Sequence, residues 1–435
     1  MILDLLRKIL LVSSIYIIFG LNSLSQNKMK IDEFYNHYPT VINIKNYGLS
    51  AVSDTNKYIA ANTPLPYFLT LLPAKIFDIK LSLRYLRIFN TLISFFTILL
   101  IFSLLIRLKT NFVLEKTLII FFYPYFLKPS FTYYMAIYGL LFYILFIKFL
   151  LNEEKKYLLS GIFIAFAILS QQFYLSIYFG MVFILLVNLF QNKLKWSELA
   201  KFTLPTILLF TPLVYIWKGV VPPSFNFHSV GIDLTKITSV LVSTGVIFLP
   251  FVFFELIRKR DYFLSNRQNF KILVFVLIIA IIFAFLFYPD FEKKGGYGKI
   301  TGITFNFIYS VEQFNFLLAF LLKVLFIFTA LTGMFLIYFP QNIVNGKQLK
   351  LKDYLKNLLS LNAINLLKIL IFFFALGFSF NILLAERHLL PLIVTILLYH
   401  FINFNNLLIL RLTLGAYILG GSIYFYYYLF IQESF

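Results

Sequence analysis

The stretch IFNTLISFFTILLIFSLLI, Ile88 to Ile106, runs between Arg87 and Arg107 without a charged residue. At a rise of about 1.5 Å per residue, such a run wound as a helix crosses a hydrocarbon core about 30 Å thick while satisfying its own backbone. Runs of this kind recur along the chain. They predict helices at 6–24, 82–106, 112–127, 131–151, 157–171, 173–190, 202–217, 237–257, 271–289, 311–340, 359–384, 389–403 and 408–430. The run 311–340 is long for one span and calls for strong tilt or a surface helix within it. Of the 435 residues, 60% are hydrophobic and 13% charged, and the mean hydropathy is +0.86. The expectation is an all-α polytopic membrane protein of about 13 transmembrane helices, forming a single integral membrane domain over 1–435.

The formal charge of +20 arises from 38 Lys and Arg against 18 Asp and Glu. These cations are scattered in short loops between apolar runs, so they read as topology signals rather than a nucleic-acid surface. Arg7 and Lys8 precede a first apolar run with no small-residue cleavage site after Gly20, which reads as a retained helix. With the N-terminus inside, the basic loops fall on the cytoplasmic side and alternate loops face outward. The outer loops, including 25–80, 128–131, 218–236, 290–310 and 385–388, hold three of the four histidines, half of the 14 prolines and the Asp32–Glu33 pair. With no cysteine there is neither a disulfide nor a thiolate metal site. The four histidines share no local ligand spacing, so no metal and no cofactor are expected.

The loop 25–80 opens with KMKIDEFYNHYPTV, Lys28 to Val41. Ile31, Phe34 and Tyr38 share one helical face, while Asp32, Glu33 and His37 take others, which fits an amphipathic surface helix. AANTPLPYFLTLLPAKIF, Ala60 to Phe77, forms a second surface segment punctuated by Pro64, Pro66 and Pro73. Asp32 and Glu33 could be a solvated pair at a helix N-terminus. Beside apolar surface, one of two adjacent acids can instead serve as a base while the other binds.

This order of elements resembles the GT-C superfamily of polyprenyl-phosphate-sugar-dependent glycosyltransferases. It is most similar to the dolichyl-phosphate-glucose α-1,2-glucosyltransferase family. Asp32 and Glu33 match that family's acidic pair, Thr63 and Pro64 its Thr-Pro stretch, and Leu86, Arg87 and Asn90 its Leu-Arg-x-x-Asn. WKGVVPPSFNFHS (Trp217 to Ser229) and AERHLLPLI (Ala385 to Ile393) are similar to two later family stretches. The chain departs where Met135 and Ala136 stand in place of an acid and Gln171 in place of a cation. A bacterial relative acting on a different lipid-linked sugar is therefore expected.

The resemblance implies a GT-C fold and an inverting transfer from a polyprenyl-phosphate-linked sugar to a hydroxyl of a glycan or lipid-linked acceptor. The reaction would belong to glycan biosynthesis, at the periplasmic face of a bacterial inner membrane. Asp32 would be the catalytic base; Glu33 and His37 would tune it or bind acceptor. Arg87, Lys128, Arg387 and His388 are candidates for the donor phosphate because boundary cations are costly to bury, with snorkelling toward headgroups as the alternative. Trp217, Lys218 and His228 bracket an outer loop and are candidate acceptor contacts, although a Trp at this depth also serves as an interfacial anchor. EKKGGYGK, Glu292 to Lys299, lacks Walker spacing and reads as a flexible loop. A transporter or flippase of lipid-linked saccharides is the alternative from another class, and would place ionisable groups in mid-membrane or show repeat symmetry. An O-antigen ligase or polymerase would carry its large loop late in the chain, whereas here it comes first.

Overall fold

The computed structural model describes residues 2–152, 154–222, 234–258, 267–288, 302–338, 359–379 and 386–431. Among them every regular element is helical, and the chain is an all-α polytopic membrane protein. It divides into two compact units, Met1–His228 with Phe401–Phe435, and Ser229–His400.

In the first unit, α1 (Ile2–Leu24) leads through a loop to a π-helical turn, Glu33–His37, which runs directly into α2 (Tyr38–Tyr47). Pro39, in the first turn of α2, has no N–H for the carbonyl four residues back, and the turn ahead of it widens. A single turn, α3 (Ser50–Ser53), precedes α4 (Leu65–Ile76), the second surface segment. The long apolar run becomes α5 (Leu83–Arg107), capped by the Ser82 side chain accepting from Tyr85 N at 3.2 Å.

Then follow α6 (Val113–Phe122), α7 (Pro124–Phe131) and α8 (Ala136–Leu150). The expected outer turn at 128–131 is instead the end of a buried helix, because Pro124 interrupts the apolar run after Tyr123 and starts α7. The helices α7 and α8 bend against each other by 114°, the geometry of a broken span or a re-entrant loop. The unit continues with α9 (Tyr157–Ile168), α10 (Leu175–Phe190) and α11 (Trp196–Trp217).

In the second unit are α12 (Leu234–Arg258), α13 (Arg267–Leu286), α14 (Ile303–Phe314), α15 (Phe316–Tyr338) and α16 (Ala363–Ser379). The long run 311–340 is thus two helices parted at Asn315, whose side chain caps α15 by accepting from Leu318 N at 2.9 Å. The chain returns to the first unit through α17 (Leu390–Asn403). It ends in α18 (Leu407–Tyr426), which passes into a π-helical turn, Tyr427–Ile431.

The sequence leads to an expected count of about 13 spans. Seven described helices are long and apolar enough to cross a membrane, or eight if the bent pair forms one span. Five further apolar helical stretches among the described residues run 10–17 residues, short of an upright crossing. Close helix approach rests on small residues: a side chain at Gly421 would run into the Phe122 carbonyl, which lets α18 lie on α6. Gly245 does the same for α12 against the backbone of α15 at Phe326.

Candidate active site at the end of the first span

The site is assembled by one buried ion pair. Arg87, in the second turn of α5, donates from Nε to Glu33 Oε1 at 2.9 Å and from Nη2 to Glu33 Oε2 at 2.7 Å. Its remaining N–H groups go to the carbonyls of Ser23 (2.9 Å), Gln26 (2.7 Å) and Lys28 (2.9 Å). All five guanidinium donors are therefore used. Glu33 also accepts from Lys30 N and from Tyr133 N, each at 2.8 Å. Each side chain of the pair is 1% exposed. A buried pair is tolerated only when its hydrogen-bonding capacity is met, and here one carboxylate ties together the start of the first loop, α5 and the segment after α7.

Asn90, one turn beyond Arg87, completes the clamp by donating to the carbonyls of Pro129 and Thr132. The Leu-Arg-x-x-Asn spacing thus puts two tethers on one face of α5. Thr63 and Pro64 hold the loop's far end: Thr63 Oγ1 donates to Ile168 O at 2.9 Å and Leu65 N to Leu169 O at 3.1 Å, at the C-terminus of α9.

Glu33 is sealed, whereas its neighbour Asp32 keeps 15% side-chain exposure and faces Lys128, with Oδ2 3.9 Å from Nζ. Lys128 comes from α7, and its ammonium sits 3.9 Å from the ring centroid of Tyr428. Lys30 Nζ approaches the same ring at 5.6 Å. Burial, then repulsion from Arg87, outweighs the attraction of Glu33 and holds the Lys30 pKa below its ordinary value. Two cations and one accessible carboxylate thus gather around an aromatic ring supplied by the C-terminal turn.

His37 is buried, with Nδ1 2.9 Å from the Tyr67 hydroxyl and its ring edge-on to Tyr134 at 5.1 Å. Tyr67 meets Tyr58, and Tyr58 meets Trp217 at 5.7 Å. These aromatics wall the loop against α11.

Several expected site residues take other places. Arg87 has no donor left for a phosphate; its guanidinium is spent on the clamp. Trp217 is 2% exposed and donates Nε1 to Val52 O at 2.9 Å, so it anchors α11 to the loop and offers no face to a sugar. Lys218 is exposed and caps α11 in a left-handed conformation. His228 lies outside the described residues. Arg387 and His388 belong to the second unit, in the short 3₁₀ turn Glu386–Leu389, and the side chain of Arg387 lies outside what is described. The structure brings together Asp32, Glu33, His37, Arg87 and Lys128. It adds Lys30, Tyr67, Tyr133 and Tyr428, which sequence reasoning missed. Lys30 lies two residues before Asp32 and could have been weighed with it; Tyr428 is remote in sequence and carries no local signal.

No protein-family model matches the chain, and no curated protein matches it. Among solved structures it is similar to the crystal structure of ArnT from Cupriavidus metallidurans in the apo state. Identity is 11% and the TM-score 0.38, over 90% of this chain and 76% of that chain.

Proposed function

We propose that the protein is an inverting glycosyltransferase of the GT-C type, moving a sugar from a polyprenyl-phosphate carrier to an acceptor hydroxyl at the periplasmic face of a bacterial inner membrane. The observation that carries this reading is the division between two adjacent acids: Glu33 is consumed by Arg87, while Asp32 stays accessible beside a lysine. A base must reach its proton, and a leaving phosphate needs a nearby cation.

In the resting site Lys128 pairs with Asp32 over Tyr428. A donor phosphate would compete for that ammonium and free the Asp32 carboxylate to accept the acceptor's proton. The oxygen then attacks C1 of the sugar, the C1–O bond to phosphate breaks, and polyprenyl phosphate departs with its charge held by Lys128, with Lys30 behind it. Glu33 and Arg87 fix the turn that aims Asp32, which supplies the positioning part of the rate. His37 packs behind the turn and tunes the acceptor side. The chemistry is assigned to side chains of the chain, without a metal. The departures at Met135, Ala136 and Gln171 favour a sugar and acceptor other than those of the eukaryotic glucosyltransferase.

A flippase of lipid-linked saccharides would use ionisable groups at mid-membrane. Buried lysines do occur in helices, but Lys116, Lys323 and Lys368 are the fourth, eighth and sixth residues of α6, α15 and α16. Lys116 donates to the Phe401 carbonyl, and Lys323 pairs with Glu312. Those placements favour anchoring over a relay. Mass analysis of lipid-linked and surface glycans in a deletion strain separates the two functions. Loss of a single hexose or pentose supports transfer; intact glycans with altered lipid distribution between leaflets reject it.

A further inference from the structure

A second cleft lies in the first unit, away from the Asp32 cluster, between the surface helices α2 and α4. Its volume is about 570 Å³, within the range of about 300–1,000 Å³ usual for small-ligand sites. Ile44, Phe68, Leu69, Leu72, Ile79 and Leu81 supply an apolar wall, and Lys45 and Lys75 stand on its rim. Leu81 lies two residues before α5 begins at Leu83, and α5 is long and apolar enough to cross a membrane, so the cleft adjoins the start of a candidate span. The surface around it is apolar: Leu49, Leu72, Ile76 and Phe77 are all exposed, Leu49 by 76% and Phe77 by 72%. Exposed apolar side chains of this kind suit the acyl boundary.

The charge is mainly positive: Lys45 and Lys75 line the cleft with one acid, Asp78, and Lys80 and Arg84 are exposed nearby in the chain. Both rim lysines are exposed, so the long stems can lie along the wall while the ammonium groups reach the headgroup level. A cleft with an apolar floor, two cations at its mouth and a membrane at its edge fits an amphiphile with one anionic head.

We propose that this cleft binds an anionic phospholipid of the surrounding bilayer, with an acyl chain along Phe68, Leu72 and Ile79 and the headgroup phosphate between Lys45 and Lys75. The lipid would seat α2 and α4 against the membrane. The inference does not depend on the glycosyl-transfer reading, since none of these residues belongs to that site.

The test uses the full-length protein purified in mild detergent, with phosphatidylglycerol and phosphatidylcholine compared as retained adducts by native mass spectrometry. Two lysines near an anionic headgroup predict a preference for phosphatidylglycerol of about 30-fold, the equivalent of ~2 kcal/mol. Lys45→Gln with Lys75→Gln should reduce the preference to near unity. Raising ionic strength should weaken phosphatidylglycerol retention on the unaltered protein, which keeps the test open if the double variant folds poorly. Millimolar inorganic phosphate should not displace the lipid, because the chain contributes to binding. Equal retention of the two lipids, an unchanged preference in the double variant, or displacement by inorganic phosphate would each overturn the proposal.

Discussion

Arg87 and Glu33, 54 residues apart in sequence, form a two-pronged ion pair in which each side chain is 1% exposed. The pair fixes the π-helical turn whose preceding residue is Asp32. It therefore separates two adjacent acids: Glu33 is sealed in the pair, and Asp32 keeps 15% side-chain exposure beside Lys128.

Removing one member of this pair strands the other. Arg87→Ala should cost about 3–5 kcal/mol, because Glu33 is left charged and buried. Arg87→Lys should be intermediate, since an ammonium has three donors for a site that uses five. Thermal unfolding in detergent checks this; a wild-type midpoint for Arg87→Ala would show that the clamp is dispensable.

The Lys128 ammonium is held between Asp32 and the Tyr428 ring. Lys128→Gln should lower transfer by roughly 100-fold, in the range for loss of one group that stabilises developing charge. Tyr428→Leu should lower it by up to about tenfold through loss of cation–π attraction, whereas Tyr428→Phe should retain most activity because the ring face remains. Initial rates at matched protein level decide the matter. Equal losses for the Leu and Phe variants would assign Tyr428 a role through its hydroxyl instead.

Lys30 gives a pH signature. Its pKa in the folded protein lies below the ordinary 10.5, with burial the largest cause. Between that lowered pKa and 10.5 the unfolded chain holds a proton that the folded chain does not, so stability gains with rising pH across this window. Below the window both states are protonated and the cost of burying the charge is constant. Lys30→Met should therefore be more stable than wild type at neutral pH, with the advantage shrinking as pH rises toward 10.5. A gap that widens on the alkaline side would contradict the assigned direction. Melting curves of both proteins from neutral to alkaline pH measure it.

Much of the fold was legible because a bilayer imposes length and apolarity together. The run at 82–106 became α5 within a residue at either end. Pro124 breaks the run expected as one helix over 112–127, and the buried helix α7 stands where an outer turn at 128–131 is expected. The same limitation applies to Arg87. Its position at a span boundary marked it as costly, yet the acceptors that satisfy it are backbone carbonyls of residues 23, 26 and 28, which carry no residue-type signal. Tyr428 shows the other limit, since nothing in TyrPheTyrTyrTyr-like tail composition distinguishes the one ring that meets Lys128 from its neighbours. The resemblance assigns Asp32 and Glu33 different roles, but the ion pair that seals Glu33 and the exposure that Asp32 keeps are visible only in the structure.

The most direct measurement replaces one oxygen of Asp32 with nitrogen. A deletion strain is complemented with wild-type protein or Asp32→Asn at equal membrane levels, and lipid-linked and surface glycans are compared by mass. The glycosyltransferase reading predicts that Asp32→Asn reproduces the deletion profile, lacking the same single sugar. A wild-type glycan profile from the Asp32→Asn strain would contradict it.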